Sequence, residues 1–291
     1  MMQRKDSPQV RSLPVRYGSS NRGASGHKPK LGQNFLVSPT AARAIVDALG
    51  DLSQATVLEI GPGRGALTSL LAARAKHLIA VELDRSMAAT LRRDSIDWAG
   101  SPAEIICQDI LTLDLTHLAA PRGIRLQVIG NLPYYISSPI LTHLFAHSAV
   151  IDRAVLMAQR EVAERMVAPP GTRVYGLLSA TTQMYAGVEN LFTLPPEAFA
   201  PPPEVHSTVF RLTMRPRFEE LGIDAAGFLR FLRQAFALKR KTLGNNLRAS
   251  GYSPAAVDGA FTQCGVNAQI RAEAVSLEDM ACLFRAVTGA G

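Results

Sequence analysis

Thr56-Val57-Leu58-Glu59-Ile60-Gly61-Pro62-Gly63-Arg64-Gly65-Ala66-Leu67-Thr68 is the stretch that decides the fold. An apolar, β-branched run passes through a glycine-rich turn into a helix-compatible segment. An α/β domain presents its strand ends and a helix N-terminus to a nucleotide-like ligand in this way. The glycines allow a sharp turn and a close approach of backbone to ligand. Read as Gly61-x-Gly63-x-x-Ala66, the turn also fits the dinucleotide fingerprint, so alone it leaves two kinds of nucleotide cofactor open.

The strands that follow discriminate between them. Leu78-Ile79-Ala80-Val81 ends in Glu82-Leu83-Asp84, about one βαβ repeat downstream, where Glu82 can accept both ribose hydroxyls of an adenosine. Glu104-Ile105-Ile106-Cys107 ends in Gln108-Asp109, where a side chain can accept from an adenine amino group. Leu126-Gln127-Val128-Ile129-Gly130 ends in Asn131-Leu132-Pro133-Tyr134. A nicotinamide dinucleotide and S-adenosylmethionine both call for the carboxylate at 82. The ordered series of four ends suits the methyl donor, S-adenosylmethionine, better than a hydride carrier. Any one of these residues could simply begin a turn; the ordered set argues for a site.

The 291 residues suffice for a large α/β domain and a smaller one, and a hydrophobic content of 47% supports a full core. No apolar run reaches the ~18 residues that a membrane helix needs, so no membrane association is expected. The net charge of +7 suggests a polyanionic partner. Its distribution is more telling: residues 1–30 carry a balance of +6, residues 31–210 a balance of −3, residues 211–248 again +6 and residues 249–291 a balance of −2. Two basic blocks beside a slightly acidic middle read as phosphate contacts. Cys107, Cys264 and Cys282 lie far apart in sequence without CxxC spacing, from which a reducing compartment, here the cytoplasm, and no zinc site are expected. His143 and His147 are four apart on a predicted helix, but no third ligand accompanies them, so no metal site is assigned.

Residues 1–27 are rich in Arg, Ser, Gly and Pro and are expected to form a disordered basic tail; their makeup also fits a mitochondrial transit peptide. The ordered chain is expected to begin near Lys28-Pro29-Lys30-Leu31-Gly32-Gln33-Asn34-Phe35-Leu36, a segment that could fold over a ligand as a lid or act as a pre-helix staple. Ser38 then caps a helix with Pro39 at its first position, and Ser137-Ser138-Pro139 repeats the pattern. Further helices are predicted near 66–75, 85–93, 159–167 and 174–185. Additional strands are predicted at Arg153–Met157, Val188–Phe192 and Ser207–Met214. The last two flank a proline-rich loop, Pro195 to Pro203, that carries Phe199. The expected fold is α/β: a Rossmann-like seven-stranded methyltransferase sheet with an antiparallel end, spanning 28–215. A small all-α domain, 216–291, with helices near 224–237, 241–249, 254–264 and 276–287, would contact RNA.

Asn131-Leu132-Pro133-Tyr134 carries the chemistry. An exocyclic adenine amine is a poor nucleophile because its lone pair is delocalised into the ring. It barely binds a proton near neutrality, so a general base would solve the wrong problem. Two acceptors that hold the N6 hydrogens out of plane localise the lone pair toward an electrophilic methyl. The Asn131 side-chain oxygen and a backbone carbonyl of Leu132 or Pro133 are the candidates. Pro133 stiffens the loop, Tyr134 can stack on the base, and Phe199 is the candidate for the opposite face. The base must leave its stack to enter such a slot.

With these motifs in view, the chain resembles the bacterial small-subunit ribosomal RNA adenine N6,N6-dimethyltransferase family, from about Lys28 to the mid-280s. The resemblance rests on Gly32-Gln33-Asn34-Phe35-Leu36, Glu59-Ile60-Gly61-Pro62-Gly63, Glu82-Leu83-Asp84, Asn131-Leu132-Pro133-Tyr134-Tyr135, Gln159 to Arg165, Tyr175 to Ser179, Phe199 to Val205 and Phe236 to Leu247. It implies methyl transfer from S-adenosylmethionine to two adjacent adenosines near the 3′ end of 16S rRNA. It also implies cofactor contacts at Asn34, Leu36, Gly61, Glu82, Asp109 and Asn131, and a partly assembled small ribosomal subunit as partner; the protein itself is expected to be a monomer. His206 and the long basic extension before Lys28 depart from the family pattern. The alternatives are a large-subunit adenine methyltransferase, a mitochondrial relative, or a non-catalytic assembly factor that keeps the fold.

Overall fold

The computed structural model describes residues 34–95, 103–120, 123 and 125–289. The basic tail 1–27 and the motif residues Lys28 to Gln33 lie outside the described residues.

Thr56–Ile60 forms β2, and all five of its residues are buried, as befits a central strand covered on both faces. It pairs in parallel with β3 (His77–Glu82) on one side and β5 (Leu126–Asn131) on the other. β4 (Ala103–Cys107) extends the sheet beyond β3, and β6 (Ile151–Gln159) extends it beyond β5. β9 (Ser207–Met214) then runs antiparallel to β6, and β7 (Ala186–Leu194) closes the edge antiparallel to β9. The order β4-β3-β2-β5-β6-β9-β7 is the expected seven-stranded sheet with an antiparallel end. Strand order reverses between β2 and β5, and open α/β sheets bind ligands outside the carboxyl ends at such a point.

Side chains alternate across the sheet. Val57, Ile129, Val155 and Met157 face α1 (Pro39–Asp47) and α2 (Thr68–Ala72). Leu58, Ile60, Val128 and Leu156 face α5 (Ser137–Ala146) and α7 (Leu177–Tyr185). Helix starts follow the capping residues: Ser38 accepts from the Ala41 N–H, and Asp84 accepts from Ser86 and Met87 at the head of α3 (Arg85–Asp94). The expected cap at 138 does not form. α5 begins already at Ser137, whose hydroxyl is drawn back to the Pro133 carbonyl at 3.0 Å, and Pro139 sits in the first turn, where no N–H is needed. Two short helices, α4 (Leu115–Ala119) and α6 (Arg160–Val167), complete this part.

Phe35–Leu36 is a two-residue strand, β1, paired antiparallel with β8 (Phe199–Ala200) from the proline-rich loop.

After β9 come α8 (Phe218–Leu221), α9 (Ala225–Ala235), α10 (Leu243–Ala249), α11 (Pro254–Cys264) and α12 (Leu277–Thr288). The described residues from Asn34 to Gly289 form one compact unit, and Phe228, Phe231 and Phe284 join the same apolar cluster as the α5 face of the sheet. Tyr185 lies between the two parts: its ring stacks on Phe145 at 5.1 Å and meets Phe218 edge-on at 5.0 Å. Cys264 and Cys282, 18 residues apart, are joined in a disulfide because α11 and α12 pack side by side; Cys107 is free.

Candidate active site

At the tip of β2 the backbone takes left-handed values at Gly61 (φ 64°) and Gly63 (φ 56°), which side chains rarely tolerate. A Cβ on Gly61 would meet nothing within 4 Å, so open space lies over the turn. Beside it, a Cβ on Gly130 would lie 2.8 Å from the Ile60 carbonyl oxygen, so only glycine lets the ends of β2 and β5 come this close. Glu82, 3% exposed, closes the turn from the other side: its carboxylate accepts from the Gly63 N–H at 3.0 Å and from the Asp84 N–H at 2.9 Å. Asp109, at the end of β4, accepts from the Leu111 N–H at 2.9 Å. The predicted series of strand ends thus comes together along one carboxyl edge.

Glu59, on β2 below the turn, is 1% exposed, and its Oε2 has no hydrogen-bond partner. Burial pushes its carboxyl up to about 8; the Thr68 hydroxyl pulls the other way, and the Glu82 charge adds to the rise. The rise favours the protonated form of the carboxyl beneath the turn.

The base end is built around Asn131. Its Nδ2 donates to the Asn34 carbonyl at 3.0 Å. A carbonyl can only accept, so the amide nitrogen must face it and Oδ1 points the other way. Leu132 is buried and its N–H donates to Met157 at 2.9 Å. The Pro133 carbonyl accepts from both the Ser137 hydroxyl and the Ile136 N–H. Tyr134 is half-buried, with its hydroxyl 2.6 Å from Ser207 Oγ; burial raises its pKa, so the phenol stays neutral. Ser207 is the residue that reading the sequence missed; its only signal was its place at the head of β9.

Two predicted residues have buried side chains. Leu36 is buried beside Phe199, and Phe199 itself is 3% exposed, packed in the cluster with Ala41, Ile45 and Val209. To offer a face to a base, the Phe199 ring must first be uncovered. His143 and His147 each bond a backbone carbonyl, the first that of Leu113 and the second that of His143.

The geometry therefore pairs a glycine turn having open space above it with a buried carboxylate at the next strand end, and sets an amide acceptor across the gap. That cradle and donor set fit an adenosine-bearing sulfonium cofactor. Residues 24–288 match the family model described as Ribosomal RNA adenine dimethylase. The chain belongs to that family. It is 59% identical over 259 residues to the Ribosomal RNA small subunit methyltransferase A of Acidobacterium capsulatum, covering 89% of this chain and 90% of that one. The protein of the same name from Koribacter versatilis is 52% identical over 268 residues, 88% and 93% of the two chains. Among solved structures, a dimethyladenosine transferase from Plasmodium falciparum superposes with a TM-score of 0.71 at 25% identity, over 85% of this chain and 95% of that one. The 23S rRNA methyltransferase ErmE gives a TM-score of 0.64 at 25% identity, over 88% and 100%. The protein is an S-adenosylmethionine-dependent methyltransferase of this family.

Proposed function

We propose that this protein methylates N6 of two adjacent adenosines near the 3′ end of 16S rRNA, acting as a cytoplasmic monomer on a partly assembled small subunit. The observation that carries the reading is the commitment of Asn131 Nδ2 to the Asn34 carbonyl, with Oδ1 left without a partner among the described residues and so open as an acceptor. The second acceptor is assigned to the Leu132 carbonyl. Both lone pairs of the Pro133 oxygen are already used by Ile136 and Ser137.

In this mechanism Asn131 Oδ1 and the Leu132 oxygen hold the two N6 hydrogens and turn the lone pair out of the ring plane. Tyr134, fixed by Ser207, carries the flipped base by stacking, worth about 1–3 kcal/mol. When bound, S-adenosylmethionine supplies the electrophilic methyl. Glu82 would accept from its ribose hydroxyls, Asp109 from its adenine amine, and Gly61, Asn34 and Leu36 would flank it. Rate comes from alignment of amine and methyl, with no proton taken before attack. Residues 28–215 perform the transfer. Residues 216–291 bring Lys239, Arg240 and Lys241, all exposed, to the RNA phosphates.

The test is transfer of tritiated methyl groups to undermethylated small subunits, with large subunits in parallel and the modified nucleosides identified. Dimethyladenosine in 16S rRNA is expected. Label confined to large-subunit RNA would overturn the assignment of substrate.

A further inference from the structure

The segment Asn34–Val37 crosses the carboxyl edge of the sheet and is tied down by five contacts. The Asn34 carbonyl takes the Asn131 amide. The Phe35 ring lies against the glycine turn, so close that a Cβ on Gly63 would be 3.1 Å from two of its carbons. The Arg64 guanidinium carbon stands 4.4 Å from the centre of that ring. Leu36 pairs with Phe199, and the Val37 N–H donates to the Ala198 carbonyl at 2.9 Å. Arg64 is exposed and makes no ion pair among the described residues, so the ring face is the contact that holds it.

We propose that Arg64 is a positioning residue. It clamps Phe35 onto the glycine turn and so keeps the Asn34 carbonyl where it orients Asn131. A cation over an aromatic face attracts the ring, less in water than when desolvated, and an exposed pair is worth a few-fold in an equilibrium. The clamp joins the two halves of the site: Arg64 and Gly63 belong to the turn that cradles the donor, while Asn34 fixes the amide that receives the base. If Phe35 lifts, the Asn131 amide loses the partner that distinguishes its nitrogen from its oxygen, and half of its orientations then offer the base an N–H instead of an acceptor. This inference rests on the acceptor role proposed for Asn131.

The test uses the full chain and the variants Arg64→Gln, Arg64→Lys, Phe35→Leu and the double Arg64→Gln/Phe35→Leu. It measures hydrogen exchange at the Val37 amide, calorimetric binding of S-adenosylmethionine, and kcat and KM. Arg64→Gln should speed Val37 exchange and lower kcat by about two- to fivefold. Arg64→Lys, which keeps a cation, should restore both, and the double variant should be no worse than Phe35→Leu alone. Unchanged Val37 exchange in Arg64→Gln, or additive losses in the double variant, would overturn the clamp; a direct contact of Arg64 with RNA phosphate would give that pattern, with weakened RNA binding. If the clamp exists but Asn131 is not the acceptor, exchange and donor binding still respond while kcat does not, so the two failures can be told apart.

Discussion

The two ends of the cleft are built on opposite plans. At the donor end the polar groups are already engaged: both Glu82 oxygens accept backbone N–H groups, and Asp109 holds its own turn. At the base end acceptors are kept open: one half of the Asn131 amide is used, and the neighbouring Pro133 carbonyl is filled. A donor-binding carboxylate can be shared, because an ionised oxygen accepts several hydrogen bonds and a ribose brings its own donors. On the function proposed above, an acceptor that bends an amine out of conjugation cannot be shared. The contrast teaches that main-chain donors fill the carboxylate at the first end, whereas at the second the main-chain bonds go to the groups beside Asn131 Oδ1 and leave that oxygen without a partner among the described residues.

The hardest blow to this contrast comes at position 131. Asn131→Ala should reduce kcat by at least about 10²–10³-fold, the scale for losing one preorganised polar group, while RNA affinity in a filter-binding assay stays within about twofold. Comparable turnover by the variant would erase the distinction between the ends. Next, Tyr134→Ala should weaken engagement of the target base by about 1–3 kcal/mol, whereas Tyr134→Phe, which keeps the ring and loses the Ser207 partner, should cost far less; single-turnover rates at varied RNA concentration separate them. Replacing Lys239, Arg240 and Lys241 by Gln should leave donor binding unchanged and flatten the salt dependence of subunit binding, by about 0.7–0.9 in log–log slope for each phosphate no longer neutralised.

The smallest effect is a matter of pH. Glu59 is held near 8 in the folded chain, above its ordinary value of 4.5, so the folded state binds the proton more tightly than the unfolded one. Its contribution to stability is full below about 4.5 and is lost as pH rises toward 8. Glu59→Gln should therefore gain on the parent in thermal midpoint between pH 5 and pH 8.5. Parallel curves would show that the carboxyl beneath the turn is already ionised.

What could be read from the sequence was local. The β2 run, its glycine turn and the strand tips at Glu82, Asp109 and Asn131 follow from apolar periodicity and short-range punctuation, and they sit together as that reading requires. What could not be read was the set of pairings made across long stretches of chain. The Asn34–Asn131 bond spans 97 residues, Tyr134–Ser207 spans 73, and neither leaves a periodic trace. The burial of Phe199 came from the same source: proline spacing announces a stiff loop but does not say that β1 will cover it. Cys264 and Cys282 fell outside spacing rules because helix packing, not sequence proximity, brings them together.

The column of rings formed by Phe145, Tyr185 and Phe218 has a further consequence. One stacked and one edge-on ring contact inside a close-packed interior resist both sliding and tilting, so the interval between the proposed slot at 131–134 and the cations at 239–241 is set before any RNA arrives. An RNA whose reactive nucleotides and anchoring phosphates stand at some other interval satisfies one site or the other, never both. On the function proposed above, the enzyme thereby gauges the shape of its substrate with a rule of constant length, and a subunit at the wrong stage of maturation is turned away by its dimensions.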